Sequence, residues 1–254
     1  MLARPTVLAI AGWDSSGGAG MSRDLRVLAE CGVAAVGAIT AVTAQSDAHV
    51  LSIQHVRPEI VRDQISAALA TGTVRAIKIG MLGPRAIVEA VAGSLPSRAA
   101  IPIVLDPVRA ASSGRALLDE EGWDAMRELL LPGVTLVTPN IPEAIALTGE
   151  DAVAIDDETP VIACARQILA LGPAAVLLKG GHAAGSESVD MLVNGSGDVT
   201  CLRARRLKAT LRGTGCALSS AIAAGLARGL ALAEACRLAK DYVSIQLAAV
   251  AQLN

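Results

Sequence analysis

Thr6-Val7-Leu8-Ala9-Ile10-Ala11-Gly12-Trp13-Asp14-Ser15-Ser16-Gly17-Gly18-Ala19-Gly20 decides the fold class. Its opening run, Thr6–Ala11, is apolar and too short and too β-branched for a helix. The glycine-rich segment behind it ends where Gly20–Glu30 takes up a helical period, so a strand gives way to a helix across a turn. Short apolar runs recur at Ala35–Thr40, Arg75–Ile79, Ile101–Leu105, Val134–Val137 and Ala174–Leu178. They alternate with helical segments at Pro58–Thr71, Pro84–Val91, Glu120–Leu131 and Thr159–Leu171. This is the pattern of an α/β fold, with a mainly parallel sheet of six strands covered on both faces. After the sixth strand, Val189–Val193 and Val199–Arg203 flank Asn194-Gly195-Ser196-Gly197, a turn suited to an antiparallel hairpin. Ala217–Arg228 and Leu232–Leu253 complete the chain as helices, with no repeat or linker, so 1–254 are expected to form a single domain.

Composition narrows the partners. The chain has 254 residues, 52% in the hydrophobic set and 18% charged, which excludes disorder. Its 22 basic and 24 acidic residues leave a formal charge of −2, with no basic field for a polyanion. Trp13, Trp123 and Tyr242 are its only aromatic residues, so base-stacking platforms are excluded and the core is built from Ala, Val, Leu and Ile. Nucleic acid is therefore not an expected partner. The longest stretch without a formal charge, Cys31 to Ser46, is 16 residues, shorter than the roughly 20 that span a bilayer. Neither a membrane segment nor a signal peptide is expected, and the protein reads as cytoplasmic. Cys31, Cys164, Cys201, Cys216 and Cys236 are scattered without a C-x-x-C pair, which argues against a disulfide framework and a zinc site; most are expected to be small buried residues.

Two glycine-rich segments stand where strands give way to helices, the positions at which open α/β sheets bind ligands. The first, Gly12 to Gly20, has neither the lysine of a P-loop nor the spacing of a dinucleotide fingerprint. The second, Gly213-Thr214-Gly215-Cys216, precedes a helix, so its amides and the helix dipole suit an anion. A thiol at Cys216 is expected to have its pKa lowered there. Cys216 also reads as a plain helix-start residue, Lys240 as a solvated helix lysine and Lys179 as a strand cap, while Met81 and Val108 each look like core. His49 and His55 fall between two elements and read as solvated loop residues.

Taken together, Gly12-x-Asp14-Ser15-Ser16-Gly17-Gly18-Ala19-Gly20, Thr43-Ala44-Gln45, Lys78-Ile79-Gly80-Met81-Leu82, Asp106-Pro107-Val108, Thr138-Pro139-Asn140-Ile141-Pro142-Glu143-Ala144, Lys179-Gly180-Gly181-His182 and Gly213-Thr214-Gly215-Cys216 resemble, in order and spacing, the hydroxymethylpyrimidine/phosphomethylpyrimidine kinases. The resemblance runs from Thr6 to Ala248 and implies a ribokinase-like three-layer α/β/α sandwich. It implies an ATP-dependent enzyme of thiamine biosynthesis that phosphorylates 4-amino-5-hydroxymethyl-2-methylpyrimidine and then its monophosphate. By matching motif, Gly213, Thr214 and Gly215 would form the anion hole, Cys216 would be the general base and Lys240 would reach the phosphates. Asn140, Lys179, Gly213, Gly215 and Lys240 would hold the nucleotide. Glu143 and Asp106 would organise Mg²⁺ through water. Gly12, Ala19, Asp24, Gln45, Met81 and Val108 would surround the pyrimidine, with the Asp24 carboxylate and Gln45 amide reading its aminopyrimidine edge. A homodimer is implied as well.

The chain departs from the family pattern at several positions. Trp13 stands in the first glycine segment, Ser22-Arg23 replaces a Gln-Ala pair, Arg109 replaces a methionine, and Arg212 replaces a histidine behind Lys208–Leu211, which lacks an Asn-Thr step. Arg212 keeps a donor near the phosphates, and Trp13 and Arg109 are expected to narrow the pocket or favour the phosphorylated acceptor. Two other readings stay open: a pyridoxal or pyridoxine kinase, against which Asp24 and Gln45 speak, and a non-catalytic ligand-binding homologue.

Overall fold

A computed structural model describes residues 4–111, 113–150, 158–180, 186–207, 209 and 211–252. Gly181, His182, Lys208 and Leu253 lie outside the described residues.

The leading run extends further than its apolar residues, as β1 (Thr6–Asp14). It lies inside a nine-stranded sheet with β2 (Ala34–Gln45), β3 (Val50–His55), β4 (Val74–Ile79), β5 (Ile103–Leu105), β6 (Leu136–Val137), β7 (Ala175–Lys179), β8 (Glu187–Asn194) and β9 (Val199–Arg205), in the order β3-β2-β1-β4-β5-β6-β7-β8-β9. From β2 to β7 all neighbours are parallel, and β3, β8 and β9 add antiparallel edges. The six expected strands are thus present. The hairpin extends the same sheet, and β3 adds a strand where the sequence predicts a loop.

Side chains of β1 alternate between two cores, as the period of a strand requires. Leu8 and Ile10 enter the cluster covered by α2 (Pro58–Ala70), α3 (Arg85–Ala92), α4 (Glu120–Ala125), α5 (Ile141–Thr148) and α6 (Glu158–Ala170). Val7, Ala9 and Ala11 enter the other, covered by α1 (Gly20–Glu30), α7 (Thr214–Ala227) and α8 (Leu232–Ala251). The architecture is the expected α/β/α sandwich. The stretch read as one helix, Glu120–Leu131, is α4 followed by a π-helical turn, Met126–Leu130, and a 3₁₀ turn at Pro132 that stops it. His55 ends β3 with its ring against Gly83, where an added Cβ would lie 2.6 Å from two ring atoms; His49 is exposed in the preceding turn. Among the cysteines, Cys164 and Cys236 are buried, Cys31 and Cys216 are partly exposed and Cys201 is exposed. No helix among the described residues is long and apolar enough to cross a membrane.

Candidate active site

The carboxyl ends of the parallel strands open into a cleft of about 630 Å³, the usual place for a ligand in a doubly wound sheet. Two glycine loops meet at its centre. Gly20 begins α1 at φ +57°, and a Cβ there would strike the Gly12 carbonyl; Gly213 caps α7 at φ +71°, and a Cβ there would strike the Gly18 carbonyl. Only glycine fits this backbone approach. The first helical bond of α7 runs from the Ala217 N–H to the Gly213 carbonyl at 2.8 Å. The N–H groups of Thr214, Gly215 and Cys216 therefore have no carbonyl within the helix, and all three residues line the cleft. An added Cβ on Gly215 would stand 3.4 Å from Lys179 Nζ and 3.5 Å from Asp106 Oδ2, so cation and carboxylate abut the loop.

Cys216 lies between this loop and α1. Burial pushes its thiol up to about 11, while the Lys78 charge and a Gly20 N–H bonded to the sulfur pull the other way. The lowered thiol expected from the helix start is thus corrected, because desolvation outweighs what favours the thiolate. The Asp24 expectation is corrected too. Asp24 is fully buried, with Oδ2 2.7 Å from Lys78 Nζ and Oδ1 accepting from Ser220 Oγ at 2.9 Å, and it does not line the cleft. Its carboxylate is spent on this internal network and cannot read a ligand edge. Burial works against the Lys78 charge, yet Asp24, Cys216 and Asp106 together outweigh it and hold the ammonium above its usual value.

Asp106 follows β5 and Lys179 ends β7. Lys179 Nζ is 2.9 Å from Asp106 Oδ1 and 3.9 Å from Glu143 Oε2. Burial opposes the ammonium, but both carboxylates hold it well above its ordinary range. Burial pushes Glu143 up to about 7 despite Lys179. Glu143 is fixed by a capping box, accepting from the Asn140 N–H at 2.8 Å while Asn140 Oδ1 accepts from the Glu143 N–H at 2.8 Å. Lys240, on α8, is 2.8 Å from Asp190 Oδ2 and 2.9 Å from Ser188 Oγ. Asp190 Oδ1 also accepts from the Gly180 N–H at 3.0 Å.

At the other end, Gly12, Ala19, Gln45, Met81 and Val108 share the wall. Met81 is anchored by its carbonyl, which accepts from Thr40 Oγ1 at 2.6 Å. Gln45 is tied to the first glycine loop through Ser15 Oγ, which accepts from its N–H at 2.9 Å. Trp13 is 38% exposed and also lines this end. Arg109 does not: it pairs with Glu120 at 2.7 Å and lies 5.5 Å above the Trp123 ring, outside the cleft, which corrects the expectation that it narrows the pocket. Arg23 is buried against the second loop, its Cγ 3.3 Å from where a Gly213 Cβ would be, with Nε and Nη2 sealed and without hydrogen-bond partners among the described residues.

Every expected site residue except Asp24 therefore lines one cleft. Asp190, Ser188 and Ser220 were not anticipated. Asp190 carried one signal, a lone carboxylate inside the otherwise apolar run Val189–Val193. Among the described residues no cluster of three or more His, Cys, Asp or Glu side chains could hold a metal by itself. Asp106 and Glu143 nevertheless offer the oxygen donors that Mg²⁺ takes when waters and phosphates complete its shell. Lys179 already contacts both carboxylates, so they suit a hydrated ion, and a cation there would favour ionised Glu143.

Comparison with known proteins agrees with this architecture. Residues 14–254 match the family described as phosphomethylpyrimidine kinase. A hydroxymethylpyrimidine/phosphomethylpyrimidine kinase from Streptomyces coelicolor is 43% identical over 241 residues, 94% of this chain and 87% of that protein. The crystal structure of a Clostridium difficile phosphomethylpyrimidine kinase is similar at TM-score 0.83 and 35% identity, covering 96% of this chain and 99% of the other. A Staphylococcus aureus pyridoxal kinase in complex with AMP-PCP and pyridoxal is similar at TM-score 0.84 and 30% identity, covering 96% and 88%.

Proposed function

The chain belongs to the phosphomethylpyrimidine kinase family, and from that premise we propose that it is a single-domain thiamine-pathway kinase. It moves the γ-phosphoryl group of ATP to the hydroxymethyl of 4-amino-5-hydroxymethyl-2-methylpyrimidine, and then a second one to the monophosphate. The observation that carries this reading is the meeting of the two glycine loops. It brings Cys216 and three helix-start amides free of the helix's own bonds into one cleft with the apolar Met81 and Val108 and the cations Lys179 and Lys240. Phosphoryl transfer needs positioning and charge stabilisation above all, and this arrangement has the groups for both.

In the first step the acceptor ring lies against Met81 and Val108, with Gly12 and Ala19 lending closely approaching backbone and Gln45 reading the aminopyrimidine edge. Its hydroxyl oxygen attacks the γ-phosphorus as the bond to the β-bridging oxygen breaks and ADP departs. Cys216 Sγ, as the thiolate, receives the hydroxyl proton and becomes the thiol. The anion hole of Gly213, Thr214 and Gly215, whose free N–H groups run from Thr214 to Cys216, binds the transferring phosphoryl oxygens. Asn140, Lys179 and Lys240 hold the nucleotide, Lys240 exchanging Asp190 for phosphate. Asp106 and Glu143 would hold Mg²⁺ through water, and the ion when bound would supply charge neutralisation at the phosphate oxygens. In the second step the attacking oxygen belongs to the acceptor phosphate and carries no proton that must be removed.

The pyridoxal reading is the less favoured, since identity is 43% to the pyrimidine kinase and 30% to the pyridoxal kinase. The protein is expected in the cytoplasm as a homodimer, with neither nucleic acid nor membrane as partner. Support for the dimer is the outer strand pair, where Leu51 is 73% and Val42 47% exposed. ATP-dependent ADP release, with each pyrimidine and pyridoxal offered separately and products identified by mass, tests the whole reading. Turnover of both pyrimidines is expected. Turnover of pyridoxal alone would reassign the acceptor, and ligand binding without turnover would make the chain a non-catalytic homologue.

A further inference from the structure

Arg212 stands directly before the anion loop and lines the cleft at 16% side-chain exposure. Its Nη1 donates to Ser16 Oγ at 3.1 Å, the Ser46 carbonyl at 3.1 Å and Asp47 Oδ1 at 2.7 Å, and its Nη2 to Asp14 Oδ2 at 3.2 Å. Among the described residues its Nε has no acceptor, yet Nε is not one of the sealed, unpartnered atoms. One edge of the planar guanidinium thus stays open, the shape that takes two oxygens of a phosphate.

Neither of its two ion pairs uses Nε. Asp47 is 88% exposed, so that pair contributes little. Asp14 already accepts from the Ser16 N–H, Ser16 Oγ and the Ala19 N–H. The head group also sits at the junction of the two ends of the cleft: an added Cβ on Gly18 would be 3.2 Å from Arg212 Nη1, and the Gly18 carbonyl abuts Gly213. An acceptor oxygen must reach this junction to meet the transferring group. The first acceptor arrives there uncharged, whereas the second brings a phosphate of about −1.5 to −2 into a cleft already holding the donor phosphates. Lys179 is engaged by Asp106 and Glu143, and Lys240 by Asp190.

We propose that Arg212 binds the phosphate of the monophosphorylated acceptor and so separates the second phosphorylation from the first, an inference that rests on the two-step reading above. Arg212→Gln and Arg212→Lys test it, with kcat/KM measured for the alcohol and for the monophosphate at saturating ATP. The monophosphate-to-alcohol ratio is expected to fall about 10²-fold in Arg212→Gln and less in Arg212→Lys, chiefly through the KM of the monophosphate. A ratio within about threefold of wild type in both variants would overturn the proposal, whatever the absolute rates. Should Arg212→Gln not fold, Asp47→Asn keeps the guanidinium and removes a carboxylate that repels a phosphate beside it, and calorimetry is expected to show tighter monophosphate binding with the alcohol unmoved; monophosphate binding no tighter than in the wild type would overturn it. A wild-type protein that turns over neither pyrimidine overturns the two-step reading and this inference together, and an unchanged ratio in active variants overturns this inference alone.

Discussion

Asp24 and Lys78 meet at 2.7 Å with neither side chain exposed, and Ser220 of α7 completes the carboxylate's partners at 2.9 Å. Breaking a buried pair by removing one member leaves an uncompensated charge, whereas replacing both with apolar groups restores packing. Lys78→Met is therefore expected to lose about 3–5 kcal/mol of stability, and Asp24→Leu with Lys78→Met to recover most of it. Chemical denaturation of the single and double variants checks this, and additive losses would contradict it.

Cys216, in its thiolate form, is the proton acceptor for an alcohol, but a phosphate oxygen arrives already ionised. Cys216→Ala is expected to slow the alcohol step by roughly 10²–10⁴ and the monophosphate step by less than about tenfold. Separate single-turnover measurements with the two acceptors decide it. Equal losses would mean that Cys216 organises the loop rather than moving a proton. With Arg212→Gln acting on the opposite acceptor, the two variants should form a crossed pair.

Burial raises the Cys216 thiol to about 11, and the unprotonated form is the one that accepts the hydroxyl proton. The alcohol rate is therefore low where the thiol is protonated and rises with pH, about tenfold per unit between roughly pH 7 and 10. The same profile taken with Cys216→Ala should be flat over that window. A wild-type rate that stays level from pH 7 to 10 would remove the thiolate from the chemistry.

Among the described residues Arg23 has Nε and Nη2 buried without acceptors, an expensive state for a guanidinium. Arg23→Met keeps much of the stem and removes the charge, and is expected to raise stability by about 1–3 kcal/mol. The denaturation midpoint reads it directly. Loss of stability would show that the arginine has a partner in solution.

Much of the architecture was legible because its signals were local. α1 could be bounded at both ends, Gly20 and Glu30, from a glycine turn followed by a helical apolar stripe. The β3 strand was not, since Leu51, Ser52 and Gln54 are exposed and leave no buried alternation to read. α5 was hidden by prolines at 139 and 142, although Asn140-x-x-Glu143 carried a capping-box signature. At the site, position along the chain located Asp24 but not its direction, which depends on Lys78 and Ser220. Cys216 was misjudged for a related reason: a helix start can be seen in a sequence, whereas enclosure by α1 cannot.

The two glycine loops that meet at the cleft are separated by nearly the whole chain, and the bonds that fasten them reach equally far: Arg212 to Asp14 spans 198 positions and Ser220 to Asp24 spans 196. During synthesis the sheet from β1 to β7 can assemble from neighbouring segments, but the catalytic centre has no partial form. Until α7 emerges and docks, Asp24 lacks its serine, the helix-start amides do not exist and the acceptor wall faces open water. Closing contacts of such high sequence separation is slow, so catalytic competence should arrive as one late event, after most of the secondary structure has formed.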